Sequence, residues 1–73
     1  MASSDLIEIA AARFGWTRDY VNPFTFETKY SSGEASVLIQ FDSLGRIKHA
    51  ESAGHRVEGG INGVVEVFKA FSR

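Results

Sequence analysis

The 73-residue sequence has no cysteine, one proline, one methionine and almost no net charge. Without cysteine, it lacks a disulfide framework, a thiolate nucleophile and a cysteine-ligated zinc site. With a formal charge of −1, the chain lacks the excess of basic residues that is typical of domains that bind nucleic-acid phosphates. No run approaches the roughly 18 apolar residues of a membrane span, and no basic residue precedes the first apolar run. We therefore expect a cytoplasmic protein with no signal peptide and no membrane contact.

What the sequence does contain is typical of a small folded domain. Hydrophobic residues make up 44% and aromatic residues 12% of the chain, which excludes disorder for most of it. Its length predicts a single domain over residues 1–73, since domains usually have about 50 to 250 residues. A chain of this size buries only about 60% of its unfolded surface. We expect one layer of helix against one small sheet.

The first segment with helical spacing covers residues 4–14. Ser4 or Asp5 is the predicted N-terminal cap, and Gly15 is the predicted left-handed residue that ends the helix. Trp16 would then fold back on the last turn. The apolar stripe consists of Leu6, Ile7, Ala10, Ala11 and Phe14.

A second helix is predicted at the end of the chain, from Ile61 or Asn62 to Ser72. Asn62 is its expected cap, because its side-chain oxygen can accept a hydrogen bond from the first turn. Residues 53–60 precede it as a glycine-rich loop. The apolar stripe consists of Ile61, Val64, Val65, Phe68 and Phe71.

Three segments between the helices have the residue pattern of strands: Phe24–Tyr30, Ala35–Phe41 and Arg46–Ser52. The turn Ser31–Glu34 and the hairpin loop Asp42–Gly45 join them. The predicted buried faces carry Phe24, Phe26, Thr28 and Tyr30 in the first strand and Val37, Ile39 and Phe41 in the second.

The segment before these strands, residues 16–23, is harder to interpret because Pro23 is unfavourable in a central strand. We expect a connecting segment there, with a short edge strand as the alternative. The predicted fold is α+β, a three-stranded antiparallel sheet with two helices packed on one face in the order α-β-β-β-α. The opposite face would expose Thr25, Glu27, Lys29, Leu38, Gln40, Lys48 and Ala50.

No catalytic or metal centre can be assembled from the sequence. His49-Ala50-Glu51 matches the H-x-E element of zinc deaminases, but that site also needs a Pro-Cys-x-x-Cys element. The only other imidazole is His55, and no spacing rule joins it to His49. Serine residues are present without a G-x-S-x-G nucleophile elbow. We predict a protein that is not an enzyme, with no metal and no cofactor.

The aromatic residues outside the predicted stripes point to a binding surface. Trp16, Arg18 and Tyr20 belong to the residue types enriched at binding hot spots, and we predict them as anchors for a protein partner. Asp42, Arg46 and Lys48 of the predicted hairpin would supply charge around the anchors. The alternative is that Trp16 and Tyr20 close one end of the core.

A second candidate site lies in loop 54–60 and the start of the last helix. His55 and Arg56 are positively charged or can become so, and Gly60 and Asn62 lie where a helix N-terminus offers free N–H groups. Contact with an anion or nucleic acid is one interpretation. Loop flexibility and helix capping are the alternative explanation for the glycines.

The element order resembles that of the double-stranded-RNA-binding domain over nearly the whole length. The hairpin glycine and the helix ending Phe68-Lys69-Ala70-Phe71 also fit that domain. Its RNA contact depends on a lysine cluster at the start of the last helix, where this chain has Gly60-Ile61-Asn62-Gly63. The resemblance therefore implies the fold and not the RNA-binding function.

Scattered residues also resemble small phage anti-CRISPR proteins that inhibit the nuclease Cas9. These residues are Asp5-Leu6-Ile7, Leu38-Ile39-Gln40-Phe41 with Gly45, Glu51-Ser52, and Ile61, Val65, Phe68 and Ala70-Phe71. The resemblance implies a small inhibitor or adaptor that occupies a surface of a larger protein.

The leading hypothesis from the sequence is therefore a small non-enzymatic module that binds, and as a phage-type inhibitor blocks, a larger protein or complex. A nucleic-acid-binding domain that uses loop 54–60 is one alternative. A homodimer is the other, because a second copy can cover an exposed sheet face in so small a domain.

Overall fold

The computed structural model describes residues 3–72, which form two helices and one antiparallel sheet of five strands. The helices are α1 (Ser3–Arg13) and α2 (Gly60–Ala70), and neither is long and apolar enough to cross a membrane. The strands are β1 (Thr17–Asn22), β2 (Glu27–Ser32), β3 (Ala35–Phe41), β4 (Ile47–Ser52) and β5 (His55–Arg56). Each strand pairs with the next in the chain, in the order β1-β2-β3-β4-β5. The predicted α+β class is confirmed.

The predicted number of strands is wrong, because the sheet has a further strand at each edge. β1 occupies most of the segment predicted as a connection, which confirms the short edge strand considered as the alternative there, and Pro23 lies just beyond its end. Its first five residues are all exposed, so the alternating burial that marks a strand is absent. At the other edge, His55 and Arg56 of the predicted loop pair with Ser52 and Glu51.

The start of β2 also differs from the prediction. The strand begins at Glu27, and Phe24 and Phe26 lie in the turn that precedes it. Asn22 Oδ1 accepts hydrogen bonds from the backbone N–H groups of Phe24 (3.0 Å) and Thr25 (3.4 Å), which starts the turn directly after β1. Two phenylalanines predicted to be buried are therefore exposed.

The core lies between both helices and one face of the sheet. On the helical side it is formed by Ile7 and Ala11 of α1 and Val64 and Phe68 of α2. On the sheet side of the core, burial raises the pKa of the Tyr30 hydroxyl. The remaining core residues are Trp16, Tyr30, Val37, Ile39, Phe41 and Ala50.

The end of α1 follows the prediction, and its start does not. Gly15 has φ +77°, Trp16 N–H donates to Ala11 O (2.8 Å), and Gly15 N–H donates to Ala12 O (3.3 Å). These two bonds form the Schellman motif that glycine permits. The predicted cap is wrong, because the chain is already helical at Ser3 and Ser4 and Asp5 lie in the first turn.

Helix α2 begins one or two residues earlier than predicted, and its cap is Gly59 with φ +89°. The predicted capping role of Asn62 is therefore wrong, since Asn62 lies inside the helix and no side chain caps it. Gly63 N–H donates to Gly59 O (3.3 Å), and the carbonyl of Glu58 packs directly against Gly63. Because Gly63 has no side chain, the backbone of the preceding loop can pack directly against the first turn of α2.

The open face of the sheet differs from the prediction at β4. Gln40 pairs with His49 and Phe41 pairs with Ile47, so Lys48 is an extra residue in a β-bulge. The bulge turns Ala50 into the core, although it was predicted on the open face. On the open face, Glu27, Lys29, Leu38 and Gln40 lie as predicted, and His49 and Glu51 join them.

Candidate interaction surface

Of the predicted anchors, the structure places Trp16 in the core. Its side chain is only 5% exposed, and its Nε1–H donates to the carbonyl oxygen of Phe68 at 2.9 Å. The two rings are 4.9 Å apart at an interplanar angle of 48°. Trp16 therefore has the alternative role considered for it, closing one side of the core, and it is not a surface anchor.

Arg18 and Tyr20 both lie on β1, on different sides of the strand. Arg18 Nη1 is 3.2 Å from Glu8 Oε1, so the guanidinium links β1 to α1. The register shifts between Arg18 and Tyr20, and Tyr20 pairs with Lys29 on the open face. Tyr20 is 48% exposed, and the Arg18 side chain is 50% exposed in its ion pair with Glu8, so both of these predicted anchors lie at the surface.

The two charged residues of the hairpin loop bind each other and the backbone. Asp42 Oδ1 accepts hydrogen bonds from the N–H groups of Leu44 and Arg46 (both 2.9 Å), and Asp42 Oδ2 accepts one from Arg46 Nε (2.9 Å). The backbone N–H of Arg46, together with that of Leu44 and the guanidinium, lowers the pKa of Asp42. The loop is further tied to α1, because Ser4 N–H donates to Gly45 O (2.9 Å).

The second predicted site is only partly brought together. Lys48, Arg56 and Gly60 line a shallow depression of about 280 Å³ at the start of α2. The other two predicted residues are not part of its lining: Asn62 lies inside α2, and His55 lies on β5 next to Arg56. Glu58 also lines the depression, so its charge is mixed. His49 Nε2 lies 3.9 Å from Glu51 Oε2, which is the ion-pair geometry expected of neighbours on one strand face.

The two most exposed of the large apolar residues in the described part of the chain, Phe24 and Leu44, lie elsewhere, at one end of the sheet. There the β1–β2 turn and the β3–β4 loop come together around a groove of about 210 Å³, whose apolar lining includes Val21, Pro23, Phe26 and Phe41. Phe24 is 92% exposed, Leu44 68% and Phe26 46%. We call this surface the apolar end and define it by Val21, Pro23, Phe24, Phe26 and Leu44.

The turn that carries Phe24 has an unusual backbone. Phe26 has φ +58°, a left-handed conformation that costs a non-glycine residue roughly 1–2 kcal/mol. Its carbonyl oxygen accepts a hydrogen bond from Phe41 N–H (3.0 Å), which ties the turn to β3. The sequence signal that could have located this turn is the dipeptide Asn22-Pro23, which is typical of turns.

The opposite end of the sheet differs in chemistry. It carries a wider depression of about 650 Å³, formed where the β2–β3 and β4–β5 turns meet the end of α2. Phe71 is its exposed aromatic residue, at 55%. The rest of its lining is mainly small or polar: Ser32, Gly33, Glu34, Ala35, Ser36, Ser52, Ala53 and Ser72.

Within residues 3–72, no three His, Asp or Glu side chains come together in a way that could hold a metal ion. Comparison of the chain with protein-family models, with curated proteins and with solved structures finds no match. The resemblances noted in the sequence therefore stay predictions.

Proposed function

We propose that this chain is a small non-enzymatic module that binds a larger protein through the apolar end. The main support is the exposure of Phe24, because 92% of this residue is accessible to solvent beside an apolar groove. Exposing a phenylalanine forgoes the roughly 1.5–3 kcal/mol that its burial would contribute. Contiguous exposed apolar side chains of this kind mark protein interaction sites.

The composition of the surface fits a protein partner. Phe24 and Leu44 would enter the partner surface as the desolvated centre of the interface, and the groove would accept an apolar side chain from the partner. Asp42 and Arg46 lie at the rim, where charges orient a partner more than they add affinity. Tyr20, one residue before Val21 on β1, points to the open face of the sheet and lies outside this contact.

The backbone around the anchors is held in place before any partner binds. The turn is fixed by Asn22 Oδ1 and by the hydrogen bond from Phe41 N–H to Phe26 O. The loop that carries Leu44 is fixed by the three bonds to the Asp42 carboxylate. Ordering these loops therefore costs little at the moment of binding, which favours affinity.

A module of 8.0 kDa that covers a surface of a larger protein can inhibit it by occupying a site needed by another molecule. The resemblance to anti-CRISPR proteins makes Cas9 a defined candidate for a direct test. The interface requires Phe24 in either case, so the same variant tests both the general proposal and this particular target.

The proposal is tested by site-specific photocrosslinking in a lysate of the natural host. A photoreactive benzoylphenylalanine replaces Phe24 in one protein and Phe71, at the opposite end, in the control. We expect crosslinks to one larger protein from position 24 and not from position 71. Equal labelling from both positions, or none from position 24, would contradict the proposal, and crosslinking to nucleic acid would favour the alternative function.

A quantitative version uses whichever partner is captured, and purified Cas9 as the defined candidate. Phe24→Ala should weaken partner binding about tenfold or more, because one buried phenylalanine is worth at least roughly 1.5 kcal/mol. Phe71→Ala is the matched control and should leave the affinity unchanged. Circular dichroism of both variants would show that the fold is retained.

A further inference from the structure

On the basis of the proposed function, we infer that the free protein covers its apolar end with a second copy of itself. In this dimer, Phe24 of each copy enters the groove of the other, and a partner must displace the second copy. The side chain of Phe24 is exposed beside a groove that it does not fill. Phe24 projects from the same turn whose Pro23 and Phe26 form a wall of that groove.

The groove has a suitable size and lining for a phenyl ring. Its volume is about 210 Å³, and an apolar cavity of roughly 150 Å³ is enough to bind benzene. The lining residues are Val21, Pro23, Phe26 and Phe41 together with Ser4, Asn22, Thr28, Asp42, Ser43 and Gly45, and most of the exposed lining surface is apolar. An apolar ring therefore suits the groove in size and chemistry, and Phe24 of a second copy supplies one.

The geometry also favours a closed pair over a chain of copies. Phe24 and the groove lie at the same end of the molecule, so a single two-fold axis can place each ring in the opposite groove. Such an isologous contact uses the same surface on both copies and leaves neither surface free to recruit a third. Charge does not oppose it, because Asp42 and Arg46 neutralise each other at the rim and the chain carries a net charge of only −1.

The available area suits a weak dimer. From the exposed fractions of Val21, Phe24, Phe26 and Leu44, the apolar end offers on the order of 400 Å² of side-chain surface per copy. Two copies contribute about 800 Å² of apolar surface, which is less than the roughly 1,200 Å² at which stable specific interfaces begin. An interface of this size is typical of weak, transient association, which suits a dimer that a partner can displace.

Sedimentation equilibrium tests the inference with the purified protein alone, from about 5 µM to about 500 µM, the range in which so small an interface would assemble. We expect the mass to rise from 8.0 kDa toward twice that value. Phe24→Ala should weaken dimerisation about a hundredfold, because two rings are lost per dimer, and Phe71→Ala should not. A monomer at every concentration, or a Phe24→Ala variant that dimerises like the parent, would overturn the inference.

A mixing experiment tests the reciprocal contact itself. Phe24→Ala lacks the ring but keeps the groove, whereas Val21→Glu keeps the ring and places a carboxylate in the groove. Each variant alone should be monomeric, and a mixture should form a heterodimer with one intact ring-in-groove contact. A mixture as monomeric as its components would overturn the arrangement.

The outcomes also separate the inference from the proposed function. Crosslinks from position 24 to a second copy, with none to another protein, would support the dimer and overturn binding of a larger partner. A captured partner together with a strictly monomeric free protein would do the reverse.

Discussion

The indole Nε1–H of Trp16 donates a hydrogen bond to the carbonyl oxygen of Phe68 at 2.9 Å, across 52 positions of sequence. Trp16 follows the end of α1, and Phe68 lies near the end of α2, so this bond joins the two helices. The Phe68 ring also packs edge-on against Tyr30 of β2, with 5.6 Å between ring centroids. One aromatic cluster thus connects both helices to the sheet.

We expect Trp16→Ala to be strongly destabilising. It removes a nearly buried ring and leaves the Phe68 carbonyl without its partner, and such substitutions typically cost about 3–5 kcal/mol. Trp16→Phe should cost less, because it retains much of the packing. Urea denaturation of both variants measures the difference, with Phe24→Ala as an exposed aromatic control. A Trp16→Ala protein as stable as the control would show that this ring is not part of the core.

Gly63→Ala tests the close approach of Glu58 to α2, because helix propensity and steric overlap predict opposite changes in stability. In an ordinary helix interior, alanine is about 1 kcal/mol better than glycine. Here a Cβ atom would overlap the carbonyl oxygen of Glu58, and we expect destabilisation by roughly 2 kcal/mol instead. Gly60→Ala is the comparison, since a Cβ there meets no atom within 4 Å and costs only the strain of φ +59°. Thermal melts would rank the two, and stabilisation by Gly63→Ala would contradict the close approach.

The β4–β5 turn has a backbone that its first residue does not favour. Ala53 has φ +53° and Gly54 has φ +79°, the pattern of a type I′ hairpin turn, in which asparagine is preferred at the first position. We expect Ala53→Asn to stabilise the protein by about 0.5–1 kcal/mol, because asparagine tolerates the left-handed region better than alanine. Ala53→Val should destabilise it, and equal stability of the two variants in urea would contradict this turn geometry.

Asp42 should make stability depend on pH in the acid range. The backbone hydrogen bond from Arg46, together with the one from Leu44 and the Arg46 guanidinium, lowers the pKa of Asp42 below the ordinary 3.8. The carboxylate therefore stabilises the folded state at pH values above 3.8, and this contribution is lost as the pH falls through the lowered value. Asp42→Asn should be less stable than the parent at about pH 7, and the gap should close toward about pH 2.

The measurement for Asp42 is the melting temperature of both proteins across that pH range. Glu66→Gln on the exposed side of α2 removes one carboxylate without touching the loop, and it serves as the control for net charge. A gap between parent and Asp42→Asn that stays constant down to the lowest pH would show that the carboxylate is not held by these bonds.

Several elements were predictable because their signals are local. Gly15 and Trp16 end α1 through backbone bonds to the helix's own last turn, and no distant residue is needed for that geometry. Strand β3 was predicted at its full length, because Val37, Ile39 and Phe41 are buried and alternate with half-buried residues. The strand lies between β2 and β4 in the sheet. The loop from Asp42 was found for the same reason, because its aspartate and glycine specify a turn by themselves.

The candidate site was mostly not predictable, because its exposed residues imitate core residues. Phe24 and Phe26 continue the alternation of β2 in sequence, and only the turn begun by Asn22 places them outside the strand. Trp16 was predicted as a surface anchor, yet its burial depends on Phe68, far along the chain. A hydrophobic side chain looks the same in the sequence whether or not another element covers it.

The sequence by itself determined the fold class, the C-terminal end of α1, the central strand and the absence of cysteine chemistry, since each depends on residue type or on neighbours within a few positions. Only the tertiary structure decided the outer strands, the bulge that turns Ala50 inward and the apolar end at Phe24. These features depend on pairing between strands and on which surfaces the two helices cover. Local periodicity carries no record of such contacts, whether they join near neighbours such as Ser52 and His55 or distant residues such as Ile39 and Ala50.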